Sequence, residues 1–105
     1  MATITSKNSG NWNSNGTWNG GVPAATDTVI IQSGDTVTLN TNTASLASLT
    51  ISSGGGLSVA SSRTLTTTGG TNNSGTLSVT TNGTTLSISG ALTNTNTGSI
   101  SVKTT

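Results

Sequence analysis

The sequence has no cysteine, histidine, tyrosine or phenylalanine, and of its 105 residues three are basic and two are acidic. Without histidine and cysteine it lacks the usual general base, the thiol nucleophile and the common zinc ligands. The absence of cysteine also excludes disulfides. A net charge of +1 from scattered cations provides no basic patch for nucleic acid. No apolar run approaches the roughly 18 residues of a transmembrane helix, so no membrane partner is predicted.

The two carboxylates, Asp27 and Asp35, are the only acidic groups that chemistry could use. Hydrolysis by paired carboxylates requires two such groups about 5 to 10 Å apart. Both aspartates adjoin predicted turns, where an aspartate commonly accepts hydrogen bonds from nearby backbone N–H groups. Calcium binding requires a cluster of acidic oxygens, and the serines have no base to activate them. We therefore predict no enzyme, no metal site and no cofactor.

A five-residue phrase occurs three times in the sequence. Gly55-Gly-Leu-Ser-Val59 returns as Gly75-Thr-Leu-Ser-Val79 and as Gly98-Ser-Ile-Ser-Val102. A recurrence every roughly 20 residues is typical of a solenoid, in which each repeat buries its apolar face against the next. Within the phrase apolar and polar residues alternate, which predicts a strand with one face inward.

A second phrase repeats beside the first, with nearly the same spacing. Residues 64–69, TLTTTG, match residues 85–90, TLSISG. Both copies lead to asparagine-bearing segments, Asn72-Asn73 and Asn94, which we predict to be turns whose amides stack as a ladder. Thr67 stands where the next copy has Ile88, which places a polar residue at an inward position.

These repeats predict an all-β fold, a short parallel β-helix (β-solenoid) of roughly three to four rungs. Apolar residues make up only 29% of the chain, which suits a core one or two side chains wide. The rungs are predicted in residues 28–105, and residues 1–27 form an N-terminal cap or arm within the same single domain. That segment holds Trp12 and Trp18, which we interpret as covering the apolar end of the first rung. A sugar-stacking or partner-docking role for the two rings remains open.

The last phrase, residues 98–102, begins a rung that residues 103–105 do not complete. An uncovered strand edge templates pairing with another chain, so Ile100 and Val102 join Trp12 and Trp18 as candidate docking residues. Self-association is expected, as a closed trimer or as a head-to-tail filament.

A series of motifs extends from Trp18 to Val59. They are W-x-G-G-x-P at 18–23, D-x-V-x-I at 27–31, G-x-x-V-x-L at 34–39, L-x-I at 49–51 and G-G-x-L-x-V at 54–59. Together they resemble an opening module of right-handed parallel β-helix proteins, which include surface adhesins, secreted β-helix proteins and bacteriophage tail-fibre and head-decoration proteins. The resemblance implies fold and handedness. It transfers no catalytic residue.

The N-terminus lacks the basic region and apolar run of a signal peptide, so the expected site of synthesis is a host cytoplasm. The expected function is that of a structural virion protein of a bacteriophage, a capsid decoration or cement protein. Its expected partners are copies of itself, as a homotrimer, and the major capsid protein or another virion protein. The alternatives are a phage fibre or a surface adhesin that binds glycans. More remote is an ice-binding protein with threonine rows such as Thr36-x-Thr38, Thr64-x-Thr66 and Thr93-x-Thr95-x-Thr97.

Overall fold

A computed structural model describes residues 2–60, 62–79, 83–95 and 97–102 of the chain. These residues form an all-β structure in which short strands wind into a β-solenoid of about four turns. They contain no α-helix, and so no helix long and apolar enough to cross a membrane. The predicted fold class is confirmed.

No described strand is longer than four residues, and a 3-10 turn at Asn15–Thr17 separates β2 from β3. The strands are β1 Thr3–Ser6, β2 Gly10–Asn11, β3 Trp18–Asn19, β4 Thr28–Ile31, β5 Thr36–Leu39, β6 Ser45–Leu46, β7 Ser48–Ile51, β8 Gly56–Val59, β9 Thr64–Thr67, β10 Thr71–Asn73, β11 Thr76–Val79, β12 Thr85–Ile88, β13 Leu92–Asn94 and β14 Ser99–Val102.

Three sheets make up the faces of the solenoid. Face A has the strand order β13-β10-β7-β4-β1-β3, face B has β14-β11-β8-β5-β2, and face C has β12-β9-β6. Every neighbouring pair is parallel except β1 with β3, which is antiparallel. Successive strands on one face come from successive turns of the chain, which is the topology that the sequence repeats predict.

Both repeated phrases lie in register. On face B, Leu57 pairs with Leu77 and Leu77 with Ile100, so the three copies of the first phrase stack residue on residue. On face C, β9 and β12 pair from Thr64 with Thr85 through Thr67 with Ile88, as the two copies of the second phrase predict. The spacing of the phrases in the sequence is therefore the length of a single turn.

The core is a set of apolar columns along the solenoid axis. Alternate residues on each strand point inward, so that in β4, β5 and β7 the second and fourth residues are fully buried. Side chains from all three faces contribute to these columns, which form one cluster with the two tryptophans at the N-terminal end. A fully buried aliphatic side chain contributes about 1.5–3 kcal/mol, so a narrow column still stabilises each turn.

The strands begin earlier than predicted. The sequence places the first strand at Thr28, whereas β1 starts at Thr3 and pairs in parallel with β4, and β2 pairs with β5. Part of the predicted cap thus forms a further layer of faces A and B. Only Ile4 is apolar in β1, and one apolar residue gives too weak an alternation to indicate a strand.

The asparagine-bearing segments are also not turns. Asn72 and Asn73 lie in β10, and Asn94 lies in β13. The ladder itself is present, because the Asn73 side-chain amide donates to Asn94 Oδ1 at 3.0 Å. These strands were mistaken for turns because β10 has no apolar residue, and stacked amides replace apolar packing at that position.

Glycines set how closely successive turns approach. A Cβ added at Gly69 would lie well inside contact distance of the Ala47 carbonyl oxygen on the preceding turn. At the neighbouring Gly70 the nearest heavy atom, the Ala91 carbonyl oxygen, is 3.8 Å from the same added atom. The approach of the neighbouring turn therefore excludes a side chain at Gly69 but not at Gly70.

We expect Gly69→Ala to lower the free energy of unfolding by about 1–3 kcal/mol, the usual cost of forcing atoms into a packed site. Gly70→Ala is the matched control and should leave stability unchanged or slightly raised, since alanine restricts the unfolded chain. Urea denaturation followed by circular dichroism measures both. Equal effects of the two substitutions would contradict the close packing of these turns.

Candidate functional site

Within the residues that the structure describes, the C-terminal end of the solenoid is uncovered. β12, β13 and β14 are each the last strand of their sheet, and no strand in the described residues pairs with their outer edges. Their outward-directed backbone N–H and C=O groups form a row of donors and acceptors to which no strand of the described part of the chain is paired. The open end is defined here as these three strands together with the inward side chains of their layer.

Burial falls off at this end in the columns whose last side chain the structure describes. Leu65 and Leu77 are fully buried, whereas Leu86 and Ile100, which follow them on faces C and B, are only partly buried. On face A, Leu92 follows the buried Thr71 and is 45% exposed. It is the one large hydrophobic side chain among the described residues that is classed as exposed. The open end is therefore apolar inside and hydrogen-bonding around its rim.

Of the predicted docking residues, Ile100 lies at this end and packs partly against the core. The backbone of Val102 pairs with Val79, and its side chain lies outside what the structure describes. Sequence reasoning missed Leu92. A signal for it was present in the sequence: Leu92 follows Thr71 by one repeat, which places it in the inward column of face A.

Trp12 and Trp18 lie at the opposite end and are each 1% exposed. Their rings meet edge to face, with centroids 4.9 Å apart and planes at 71°. The Trp18 indole N–H donates to the Trp12 carbonyl oxygen at 2.7 Å, which satisfies its one polar atom. This arrangement agrees with the cap interpretation, and it leaves no indole face open to a sugar ring or a docked protein.

The N-terminal end is closed in a second way. β3, only two residues long, runs antiparallel to β1 and forms the outer edge of face A. On face B the outer strand is the equally short β2. The two ends of the solenoid thus differ. The outer strands at the C-terminal end have three or four residues, whereas those at the N-terminal end have two.

Both aspartates tie the first turns together. Asp27 is buried and accepts hydrogen bonds from the backbone N–H groups of Ala24 and Ala2, both at 2.9 Å. Those donors, first Ala24 and then Ala2, hold the pKa of the Asp27 carboxyl below its ordinary value of 3.8, against a smaller opposing effect of burial. Asp35 accepts from the Ser6 hydroxyl at 2.7 Å, and Ser6 in turn accepts from the Gln32 N–H at 2.8 Å.

The outer hydroxyl columns of face B are mixed. Thr38, Ser58, Ser78 and Ser101 stack in one column. In the other column Gly56 stands between Thr36 and Thr76 and leaves a groove of about 320 Å³. Neither column is a continuous row of threonines of the kind that an ice-binding face would need.

A family model of a domain of unknown function, DUF8693, matches residues 3–105. This chain belongs to that family. The DUF8693 match begins at the first residue of β1, so it covers the tryptophan-containing end and the rungs together. No curated protein and no solved structure matches the chain.

The hydrogen bonds to Asp27 make a prediction about pH. Because its pKa is lowered in the folded state, its stabilising effect is complete above the ordinary carboxyl value near 3.8 and is lost as the pH falls through the folded-state pKa. We expect Asp27→Asn to be less stable than the wild type at pH 7, since an amide offers a donor where two N–H groups require acceptors. The difference in melting temperature between the two proteins should shrink below about pH 4.

Melting curves of both proteins from about pH 7 to pH 2.5 measure this difference. A gap that stays constant across that range would contradict the role of the ionised carboxylate.

Proposed function

We propose that this protein is a non-enzymatic structural component of a bacteriophage particle, a capsid decoration or cement protein that docks through its open end. The observation that carries the proposal is the open end itself, with backbone groups on β12, β13 and β14 that no described strand pairs, around the exposed Leu92. The family match names no activity. The proposal therefore depends on the chemistry of this surface and on the resemblance of residues 18–59 to virion β-helix proteins.

Strand edges recognise other strands. A backbone N–H or C=O that is buried without a partner costs free energy, so a protein that covers the open end must itself supply backbone donors and acceptors. An extended segment added to a sheet edge does this and gains affinity from main-chain hydrogen bonds. Burial of Leu92, Leu86 and Ile100 under the same partner adds the hydrophobic contribution.

The unlike ends of the solenoid favour a closed assembly over a filament. Head-to-tail stacking would require the open end to continue into an edge of matching parallel strands on the next copy. The outer strands described at the N-terminal end are the antiparallel β3 and the parallel β2 and β6, each only two residues long. A trimer of copies side by side satisfies closed symmetry and turns three open ends toward one surface, which suits docking on a shell.

A structural role also agrees with the hydrogen bonding of the two carboxylates, Asp27 and Asp35. Asp27 and Asp35 accept hydrogen bonds from Ala2 and Ser6 that connect turns of the solenoid. The glycan-binding alternative is opposed by the burial of Trp12 and Trp18, because a buried indole ring cannot stack on a sugar. The ice-binding alternative is opposed by the mixed columns of face B.

The first experiment measures assembly and docking of the full chain. Light scattering over a wide concentration range gives the solution mass. Co-sedimentation measures binding to capsid shells of a phage whose genome encodes a member of this family. We expect a concentration-independent trimer that binds shells.

The docking surface is tested with Leu92→Lys, which places a charge at the open end, where covering it would require desolvation. We expect it to bind shells at least about tenfold more weakly, equivalent to about 1.4 kcal/mol. Thr93→Lys is the matched control, because Thr93 is the next residue of β13, is exposed, and points to the outer side of face A.

Equal weakening by both variants would attribute binding to charge alone and would contradict docking through the open end. A monomer that binds no shell would overturn the proposed function as a whole.

A further inference from the structure

One layer of the core contains a cluster of polar side chains beside its apolar ones. In the turn formed by β9 and β10, three inward side chains are fully buried and hydrophilic, namely Thr67, Thr71 and Asn73. The layer beneath them is entirely apolar, with Leu46, Leu49 and Ile51 at the matching positions. Because none of the three polar side chains carries a charge, they interact only by hydrogen bonds and packing.

The threonines of this layer have one donor in excess. Thr67 Oγ1 and Thr71 Oγ1 are 3.2 Å apart, and either can donate to the other. Two hydroxyl groups bring two hydrogens, and this contact uses one of them. The pair therefore retains one buried O–H that can donate.

Asn73 has one acceptor in excess. Its Nδ2 donates both hydrogens, to Asn94 Oδ1 at 3.0 Å and to the Ser99 carbonyl oxygen at 3.0 Å. Its Oδ1 is buried and accepts from no described group. Exchanging the positions of Oδ1 and Nδ2 would turn Oδ1 toward two other acceptors, so the observed orientation is the favourable one. A buried acceptor left unsatisfied costs about 1–3 kcal/mol.

We infer that a water molecule is bound inside the solenoid in this layer, where it donates to Asn73 Oδ1 and accepts from the threonine pair. Thr71 and Asn73 are alternate residues of β10, so both side chains enter the core from the same face, and Thr71 Oγ1 is hydrogen-bonded to Thr67 Oγ1. One water that makes two hydrogen bonds of about 2.8 Å bridges polar atoms about 4.5 Å apart, a separation within reach of side chains at neighbouring inward positions of one strand. The excess donor and the excess acceptor are then both satisfied, as buried polar groups in native proteins generally are.

The inference does not depend on the proposed function, because it concerns a layer inside the solenoid and no surface that a partner would cover. It assigns the polar cluster a ligand of a definite kind, a single neutral molecule that both donates and accepts. Water is the smallest molecule with that property.

Two measurements test the bound water. A crystal structure of the wild type at about 1.2 Å resolution should show a density peak within about 3.2 Å of Asn73 Oδ1, and also within hydrogen-bond distance of Thr67 or Thr71 Oγ1. Oxygen-17 magnetic relaxation dispersion counts long-lived internal waters in solution. We expect that count to fall by one in Asn73→Leu.

The matched control is Asn72→Leu. Asn72 is the adjacent residue of β10, is exposed and points out of face A, so this variant should keep the wild-type count. Circular dichroism checks that both variants are folded, and if Asn73→Leu does not fold, the wild-type density decides. Absence of the density peak, or an unchanged count in folded Asn73→Leu, would overturn the inference.

Discussion

The stacking of each turn on the next through parallel backbone hydrogen bonds is the constraint on which the structure depends. Strands joined in this way lie about 4.8 Å apart. At that spacing each inward side chain contacts the residue one turn away, so the columns follow from the register. The glycines follow too, since a carbonyl oxygen of the preceding turn occupies the space of a Cβ at Gly69.

The same constraint makes the two ends of the molecule chemically distinct. A stack of parallel strands does not terminate itself, because the last strand always exposes the backbone N–H and C=O groups that a further strand would pair with. At the N-terminal end a reversed strand and two tryptophans finish it. At the C-terminal end no described residue does so. Among the described residues, the unpaired edges of long strands and the exposed Leu92 therefore lie at one end of a surface that is otherwise poor in charge and rich in hydroxyl groups.

The sequence predicts the turns well where apolar residues recur at a fixed step. The three copies at Leu57, Leu77 and Ile100 are in register in the structure as they are in the sequence. Prediction failed where hydrogen bonds replace apolar contacts. Asn73 and Asn94 occupy an inward column and belong to strands, but composition alone makes such residues look like turns.

The site was only partly predictable for a related reason. Ile100 could be found because it lies in a repeated phrase, whereas Leu92 was missed because the matching residue one turn earlier is the polar Thr71. The sequence indicates that Trp12 and Trp18 cover the apolar end, but no local pattern indicates that β3, which contains Trp18, pairs antiparallel with β1.

Stacking by whole turns also determines how a fold of this kind can change in length. A duplicated stretch of about 20 residues between β5 and β12 would add one turn and raise the column by about 4.8 Å. The tryptophan-covered end and the open end would keep their residues and their shapes. The height of the molecule and the identity of its two ends are thus separate variables, and one can change by fixed increments while the other stays the same.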